Sequence, residues 1–403
     1  MPIELASDTY EEIPPSPPRV GAWLFLFVVF MAAGVGYTLL TWSGSKPSET
    51  PLFWIQLLLL PVAGWLTALV LRLHYYRSHS AYAEATHNVR QQDRERAIAF
   101  AREPLAVLRT AYICALGRGH AARRVIGRDV ALKSRAFAVD NETLRYSQLP
   151  DSDSEDIDQR FHECVVDLLA SMKGMLLHLP RNIPLETYLY LPDIKTSGEW
   201  LDVWQACWQT LGLGPSDTKL VTNSRGLITL DDWLDLRQSC ALEKFTLIVA
   251  IQLHEKPAPN SAEAATAMLL AWPPLATRYK LDVEALIHRP VEFSAPDRRD
   301  DLRKVLMWGA ADASDVHDVW QAGLSEADKP ELLRDADNVT LSFSHDGALT
   351  GVHDIDAAIG NAGVAASWLA AVLAAEHSSQ CGRPVLIACR EAHLQMSVVR
   401  PAS

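Results

Sequence analysis

Two long runs without a charged residue, close to the start of the chain, constrain its architecture more than any other feature. They cover residues 21–42 and 52–71. A helix of about 20 residues spans a hydrocarbon core of ~30 Å, and each run is long enough to do so. Because lipid offers the backbone no hydrogen-bonding partner, both runs are expected to be helices. The turn formers Gly44 and Pro47 lie between them, so residues 21–72 are predicted to form a transmembrane helical hairpin.

Basic residues on one side of the hairpin predict its orientation. Arginines follow the second run directly, whereas the link between the runs contains Lys46 as its one basic residue. Since basic residues favour the cytoplasmic side of a membrane, the N-terminus and the large C-terminal part are both predicted to lie in the cytoplasm. The same arginines could bind anionic lipid headgroups or form an ordinary solvated helix face, and both interpretations stay open. They are Arg72, Arg77, Arg90, Arg94, Arg96 and Arg102.

The charge balance and the cysteines exclude several classes of function. Lys plus Arg (37) against Asp plus Glu (49) gives a net charge of −12, which argues against nucleic acid as a partner. The six cysteines are scattered without CxxC spacing, so neither a disulfide framework nor a cysteine zinc site is expected. The phosphate-binding patterns GxxxxGKS/T and GxGxxG are absent, as are the GxSxG and HExxH patterns of hydrolases and metalloproteases. No cofactor and no metal are predicted.

The remaining composition divides the chain into segments. Residues 1–20 are acidic and rich in proline, which predicts a disordered arm. Residues 73–102 are polar and rich in helix formers, and are expected to form a helical stalk out of the membrane. Residues 103–403 are predicted to form a cytoplasmic domain, interrupted by an acidic linker near 150–158.

Helix and strand patterns alternate beyond residue 160. This alternation predicts a layered α/β domain in which helices cover a mixed sheet. Among its elements we expect helices near 300–309 and 315–323 and a strand over 339–345.

Two segments near the C-terminus carry residues capable of chemistry. Residues 344–356 collect His and Asp side chains that suit zinc or iron, but their spacing matches no defined ligand pattern. Further on, Gly360 and Gly363 lie where a loop enters a helix. Small residues there either let two backbones pack closely, which we favour, or aim free N–H groups at an anion or oxyanion. The side chains of the first segment are His345, Asp346, His353, Asp354 and Asp356.

The order of several motifs resembles thiolase-fold condensing enzymes such as ketosynthases. A strand is followed by Asn223-Ser224-Arg225-Gly226, a helix, a buried strand and SAEAATAMLL, and the later AIGNAGVAASWLAAVLA is similar to their GHxxGAAG helix start. In that family a cysteine nucleophile follows the central strand and a histidine follows the glycine. Here Asn223 and Ser224 occupy the nucleophile region, and Asn361 stands in place of the histidine. The resemblance therefore implies a thiolase-like α/β fold without acyl transfer by the usual route, which needs both groups.

A second resemblance implies a partner. Residues 285–293, 319–324 and 354–368 occur in the order seen in type VI secretion lipase adapters, a thiolase-like family that delivers a lipase effector to the secretion spike. It implies a non-catalytic accessory protein of a bacterial inner membrane, which binds a type VI effector or spike component. Two alternatives are an immunity protein and an acyl-transferring condensing-type enzyme at the inner membrane. The candidate nucleophiles of the latter are Ser224, Cys207 and Cys240.

Overall fold

The computed structural model of this chain divides into two compact units, residues 2–97 and residues 98–403. Asn223, Cys240, most of the predicted N-terminal arm and most of the acidic linker lie outside the residues that the structure describes. The described residues are 17–42, 51–136, 143–150, 156–192, 197–222, 224–236, 242–294 and 298–402.

The first unit is built from helices. Helix α1 (Val20–Thr41) and the continuous helical stretch Pro51–Ala101 are long and apolar enough to cross a membrane, by length and composition. That stretch consists of α2 (Pro51–Trp54), a π-helical turn (Ile55–Leu59) and α3 (Leu60–Ala101). Helix α3 passes without interruption through residue 72, where the hairpin was predicted to end.

Proline and glycine shape the contact between α1 and α3. The ring of Pro61 would collide with the carbonyl four residues earlier in a regular helix, and the chain widens there into the π turn. The ring packs so closely on α1 that a Cβ at Gly34 would lie 2.0 Å from Pro61 Cγ. Trp65 Nε1 donates a hydrogen bond to Trp23 O (3.0 Å), which fixes the two helices side by side.

The second unit is a mixed sheet covered by helices, as predicted. Within the described residues the main sheet has the order β12–β11–β13–β14–β9–β1–β8–β6–β4–β5, and β10 pairs with β14 at its side. A smaller sheet has the order β2–β3–β7. The strands are β1 (Leu105–Cys114), β2 (Ser134–Ala136), β3 (Thr143–Ser147), β4 (Leu185–Tyr190), β5 (Asp217–Val221), β6 (Phe245–Gln252), β7 (Ser261–Ala262), β8 (Ala264–Ala271), β9 (Ala285–Ile287), β10 (Val291–Glu292), β11 (Val319–Ala322), β12 (Val352–Asp354), β13 (Val385–Arg390) and β14 (Leu394–Pro401).

The main sheet repeats one strand order twice. In the first half, β1 lies antiparallel to β8, β8 lies antiparallel to β6, and β6, β4 and β5 are parallel. In the second half the same pattern runs through β9, β14, β13, β11 and β12. The halves join where β1 pairs antiparallel with β9. The second unit is therefore a structural duplication along one continuous sheet.

Helices cover both faces of this sheet, and each face has its own apolar core. On one face Phe161 of α5 stacks on Trp200 of α6 with ring centroids 4.3 Å apart. On the other face α12 is buried along most of its length and packs on strands of both halves. The helices are α4 (Ala121–Ile126), α5 (Ile157–His178), α6 (Ser197–Thr210), α7 (Thr229–Leu234), α8 (Pro273–Tyr279), α9 (Arg298–Trp308), α10 (Asp328–Val339), α11 (Ile355–Ile359) and α12 (Ala366–Cys381).

Two local predictions are wrong, both in the second half. The helix expected over 315–323 is strand β11, which is buried on both faces and so lacks the alternation that marks a half-exposed strand. The strand expected over 339–345 is the end of α10, followed by a 3-10 turn at Ser342–Ser344. Leu341 and Phe343 are buried there while Ser342 and Ser344 are half-buried, so a turn produced the period of two.

Candidate functional site

In the segment after β5 where the resemblance places a nucleophile, the structure describes Ser224, Arg225 and Gly226 but not Asn223. Ser224 is half-buried, and its Oγ accepts a hydrogen bond from the Gly226 N–H at 3.2 Å. Arg225 is exposed and pairs with Asp232 on α7. The serine hydroxyl is therefore engaged by a backbone donor of its own turn.

Gly226 is pressed against the turn between β13 and β14. Its φ is +58°, and a Cβ there would lie 2.6 Å from Glu391 Cγ and 2.8 Å from Gln395 Oε1. Gln395 Nε2 donates to Arg225 O (2.8 Å), and Gln395 Oε1 accepts from the Ile228 N–H (3.2 Å). These contacts hold residues 225–228 against the second half of the sheet.

The second predicted segment, which contains Gly360 and Asn361 before α12, packs on the connection between β6 and β8. Gly360 has a φ of +102°, and a Cβ there would lie 2.5 Å from Ser261 O. The Asn361 N–H donates to Asn260 O, and Asn361 O accepts from the Ala262 N–H, both at 2.8 Å. The backbone of Asn361 is thus held by two hydrogen bonds to the first half, while its side chain is exposed.

The N–H groups of the 3-10 turn Gly363–Ala365, which leads into α12, donate to protein acceptors. The Gly363 N–H donates to Asn361 Oδ1 (2.8 Å), and the Val364 N–H donates to Gln252 Oε1 (3.1 Å). The Ala365 N–H donates to Ala362 O (3.0 Å). A Cβ at Gly363 would lie 2.3 Å from Gln252 Oε1, so the glycine is needed for close packing. This geometry is that of the packing interpretation rather than an anion site.

Polar side chains that the sequence did not single out lie beside these segments. Ser367 Oγ donates to Glu391 Oε1 at 2.8 Å. The pKa of the Glu391 carboxyl is raised, because burial raises it by more than this hydrogen bond lowers it. Cys389 is fully buried, and burial raises the pKa of its thiol far above the usual range. Gln252, Ser367 and Glu391 come from three distant parts of the chain, and no sequence motif joins them.

An unusual carboxyl lies at the carboxyl ends of β11 and β12. Asp356 Oδ2 accepts from the Gly323 N–H (2.8 Å), while the buried Oδ1 has no hydrogen-bond partner among the described residues. Burial raises the pKa of Asp356 to about 6. Next to it, Lys329 Nζ pairs with Asp354 at 2.9 Å. Asp356 thus combines a partly unpaired carboxyl with the carboxyl ends of parallel strands, where ligands commonly bind in α/β proteins.

The predicted His and Asp cluster of residues 344–356 does not converge on one point. His345 is exposed and lies 3.5 Å from Asp337. Asp346 accepts from the Ala348 and Thr350 N–H groups of its own loop. His353 is buried on the opposite side of its strand from Asp354, as the two-residue period of a strand requires.

A groove of about 280 Å³ opens on the first half, on β4 and β6 beside α7. Tyr188 and Tyr190 line it from the sheet, and Trp233 lines it from the helix. Lys244 Nζ lies 5.6 Å from the centre of the Trp233 ring and 2.6 Å from Glu186 Oε2. Aromatic side chains therefore line the groove together with the ammonium group of Lys244, which is paired with Glu186.

Comparison with known proteins places the fold. No family model matches the chain, and no curated protein matches its sequence. Among solved structures, the ketosynthase from module 6 of the bacillaene synthase of Bacillus subtilis 168 superposes with a TM-score of 0.53 at 12% identity, over 75% of this chain and 72% of that one. The module 1 ketosynthase of the bacillaene synthase of Bacillus amyloliquefaciens FZB42 gives 0.52 at 12%, over 75% and 77%. The ishigamide ketosynthase/chain length factor gives 0.50 at 17%, over 75% and 100%.

These similarities confirm that the second unit has the thiolase-like fold of ketosynthase domains. At such identities they establish the fold alone. They lend no support to the resemblance to type VI secretion adapters, which stays a prediction.

Proposed function

We propose that this chain is a membrane-anchored, non-catalytic binding protein whose ketosynthase-like unit holds a protein partner. The observation that carries the proposal is the 3-10 turn Gly363–Ala365 that leads into α12, where the N–H groups of all three residues donate to protein acceptors. Acyl transfer needs free donors where negative charge develops on the reacting oxygen. In this proposal the engaged donors of this turn serve packing rather than chemistry.

The candidate nucleophiles support the same proposal. Cys207 on α6 belongs to the core between α5 and α6, and burial raises the pKa of its thiol. A reactive cysteine needs the opposite, a thiolate in a partly exposed, electropositive place. The hydrogen bond at Ser224 Oγ comes from a backbone N–H, which does not remove a proton from the hydroxyl.

The helical unit supports the membrane anchor. In this proposal α1 and the Pro51–Ala101 stretch cross a bacterial inner membrane, with the N-terminus and the large unit in the cytoplasm. The arginines that follow the second apolar run set this orientation and bind anionic lipid.

The finer part of the proposal names the partner as an effector or spike component of a type VI secretion system. It rests on the three short segments that resemble lipase adapters, residues 285–293, 319–324 and 354–368. A bacterial two-hybrid assay of the full chain against the type VI effectors and spike proteins of the same genome tests it. We expect one effector or spike protein to bind, with a sheath protein as the negative control. Binding of none would overturn this part.

The alternative is a condensing-type enzyme that works on acyl chains at the membrane, and the ketosynthase-like fold favours it. It requires a nucleophile, and the test takes Ser224, whose hydroxyl accepts from Gly226, a residue that contacts the second half of the sheet. The test is release of free thiol from an acyl thioester by the purified full chain in detergent, compared with Ser224→Ala. We expect no release above the blank. Release that Ser224→Ala abolishes would replace the binding function with the enzymatic one.

A further inference from the structure

Three side chains from separate elements meet at the amino ends of β11 and β12. Asp318 directly precedes β11, His353 lies in β12, and His377 lies in α12. One potential ligand atom of each lies within 4.8 Å of the other two. This edge is opposite to the carboxyl ends, where Gly323 and Asp356 lie, so the group is separate from the candidate site above.

The distances between the donor atoms suit a shared ion. His353 Nε2 and Asp318 Oδ1 form a hydrogen bond of 2.8 Å, and His377 Nε2 lies 4.0 Å from the other carboxylate oxygen, Asp318 Oδ2. Four-coordinate zinc with ligands at about 2.0 Å separates neighbouring donors by roughly 3.3 Å. An ion would therefore replace the His353–Asp318 hydrogen bond and draw His377 closer to the carboxylate.

The ligands are held on rigid elements and reach solvent on one side. Asp318 O accepts from the Leu386 N–H of β13 at 2.9 Å, which fixes its backbone. The His353 side chain is 1% exposed and that of His377 is 11% exposed, whereas that of Asp318 is 19% exposed. An ion bound here would be enclosed on the protein side and would keep an open coordination position towards Asp318 and water.

We propose that Asp318, His353 and His377 form a binding site for a divalent first-row transition-metal ion. Two imidazole nitrogens and one carboxylate oxygen are a donor set that suits zinc and its neighbours rather than calcium or magnesium. Three protein ligands leave at least one position for water or a ligand from solution.

A hydrogen bond from Trp320 determines how His377 could bind the ion. Its indole Nε1 lies 3.3 Å from His377 Nδ1, and an indole N–H can only donate. Without the ion, His377 therefore accepts at Nδ1 and carries its proton on Nε2. To bind an ion through Nε2 the neutral ring must move that proton to Nδ1, which ends the hydrogen bond from Trp320. Trp320 thus competes with the ion for His377.

The test is titration of the full chain, in detergent and without a polyhistidine tag, with Zn²⁺ by calorimetry and with Co²⁺ by visible absorption. We expect one Zn²⁺ per chain and the intense visible bands of four-coordinate Co²⁺. His353→Gln and His377→Gln keep most of the side-chain volume, and each should weaken Zn²⁺ binding by at least about tenfold. Trp320→Phe removes the competing donor and should strengthen binding severalfold.

His345→Ala is the matched control, because His345 is an exposed histidine that also lies beside an aspartate, Asp337. It should bind Zn²⁺ like the unchanged chain. The proposal is overturned if the unchanged chain binds no stoichiometric Zn²⁺, or if both glutamine variants bind it undiminished. If the variants fail to fold, the Co²⁺ spectrum of the unchanged chain decides, since bands of purely hydrated Co²⁺ exclude the site.

Discussion

The two halves of the duplicated sheet share a strand order but differ in how the same face is covered. In the second half the connection from β12 to β13 contains α12, a helix of 16 residues that is buried along most of its length. In the first half the equivalent connection from β5 to β6 contains α7, a helix of six residues, and a groove opens beside it. One topology therefore supports a sealed core and an open surface. We expect a protein partner to bind at the open half, where aromatic side chains line the groove.

Replacing one tryptophan in each half tests this contrast with the largest expected effect. Trp368 in α12 is 1% exposed, whereas Trp233 in α7 is 8% exposed and lines the groove. Truncation of a fully buried tryptophan typically costs about 3–5 kcal/mol of unfolding free energy. We expect Trp368→Ala to reach that range and Trp233→Ala to cost less, because one side of the Trp233 ring faces the groove, measured by denaturant unfolding. Equal losses would contradict the contrast.

Gly360→Ala tests the contact by which the second half docks on the first. At a φ of +102°, the new Cβ would lie 2.5 Å from Ser261 O, and neither backbone can retreat easily. We expect a loss of about 3 kcal/mol or more in thermal or denaturant unfolding. Gly347→Ala is the control, since nothing lies within 4 Å of its Cβ, and it should change stability by less than about 0.5 kcal/mol. A tolerated alanine at 360 would show that the docking contact is loose.

Asp356 and Glu186 should give the two halves opposite dependences on pH. Burial raises the pKa of Asp356 from 3.8 to about 6, so ionisation costs stability that is present below pH 3.8 and lost as pH rises through about 6. Burial also raises the pKa of Glu186, but hydrogen bonds from Lys244 and Tyr188 outweigh it and leave the pKa lowered. Its stabilisation is present above its ordinary pKa of 4.5 and lost at lower pH.

The measurement is unfolding free energy between pH 4 and pH 8 for Asp356→Asn and Glu186→Gln against the unchanged chain. Asp356→Asn should gain about 2–3 kcal/mol relative to the unchanged chain over that range. The unfolding free energy of Glu186→Gln should fall relative to that of the unchanged chain as pH rises over the same range. Parallel curves for Asp356→Asn and the unchanged chain would show that the Asp356 carboxyl is not desolvated.

Arg225→Ala should have the smallest effect. Arg225 pairs with Asp232 on the first half, and both side chains are 57% exposed. Exposed ion pairs contribute about 0–1 kcal/mol, and salt screens them. A loss above about 1 kcal/mol in unfolding experiments would mean that Arg225 contributes through more than this pair, for example by orienting the turn against Gln395.

Long apolar runs made much of the fold predictable. The two apolar helical spans of the first unit follow from uninterrupted apolar residues, and strands such as β1 and β6 follow from mostly apolar runs. Strand β11 was missed because four buried residues cannot be distinguished from a helix segment by periodicity. The strand predicted over 339–345 failed because Thr340, at a φ of +63°, ends α10 and starts a turn.

The candidate site was less predictable, because its contacts join distant parts of the chain. Gly360 and Gly363 were found from their small size at the start of a helix. Their partners Ser261 and Gln252 lie about a hundred residues earlier and carry no motif. The pairing of Gly226 with the Glu391 turn likewise follows from the fold, not from local pattern. Sequence located the segments, and packing decided what they contact.

Hydrogen exchange in the 3-10 turn Gly363–Ala365 before α12 tests most directly whether these N–H donors are occupied. The amides of Gly363, Val364 and Ala365 donate to Asn361, Gln252 and Ala362. The peptide containing them should exchange slowly in the full chain, and an added acyl thioester should leave its exchange unchanged. Fast exchange that becomes slow when the thioester is added would show open donors that bind a reacting acyl group, and would contradict a non-catalytic scaffold.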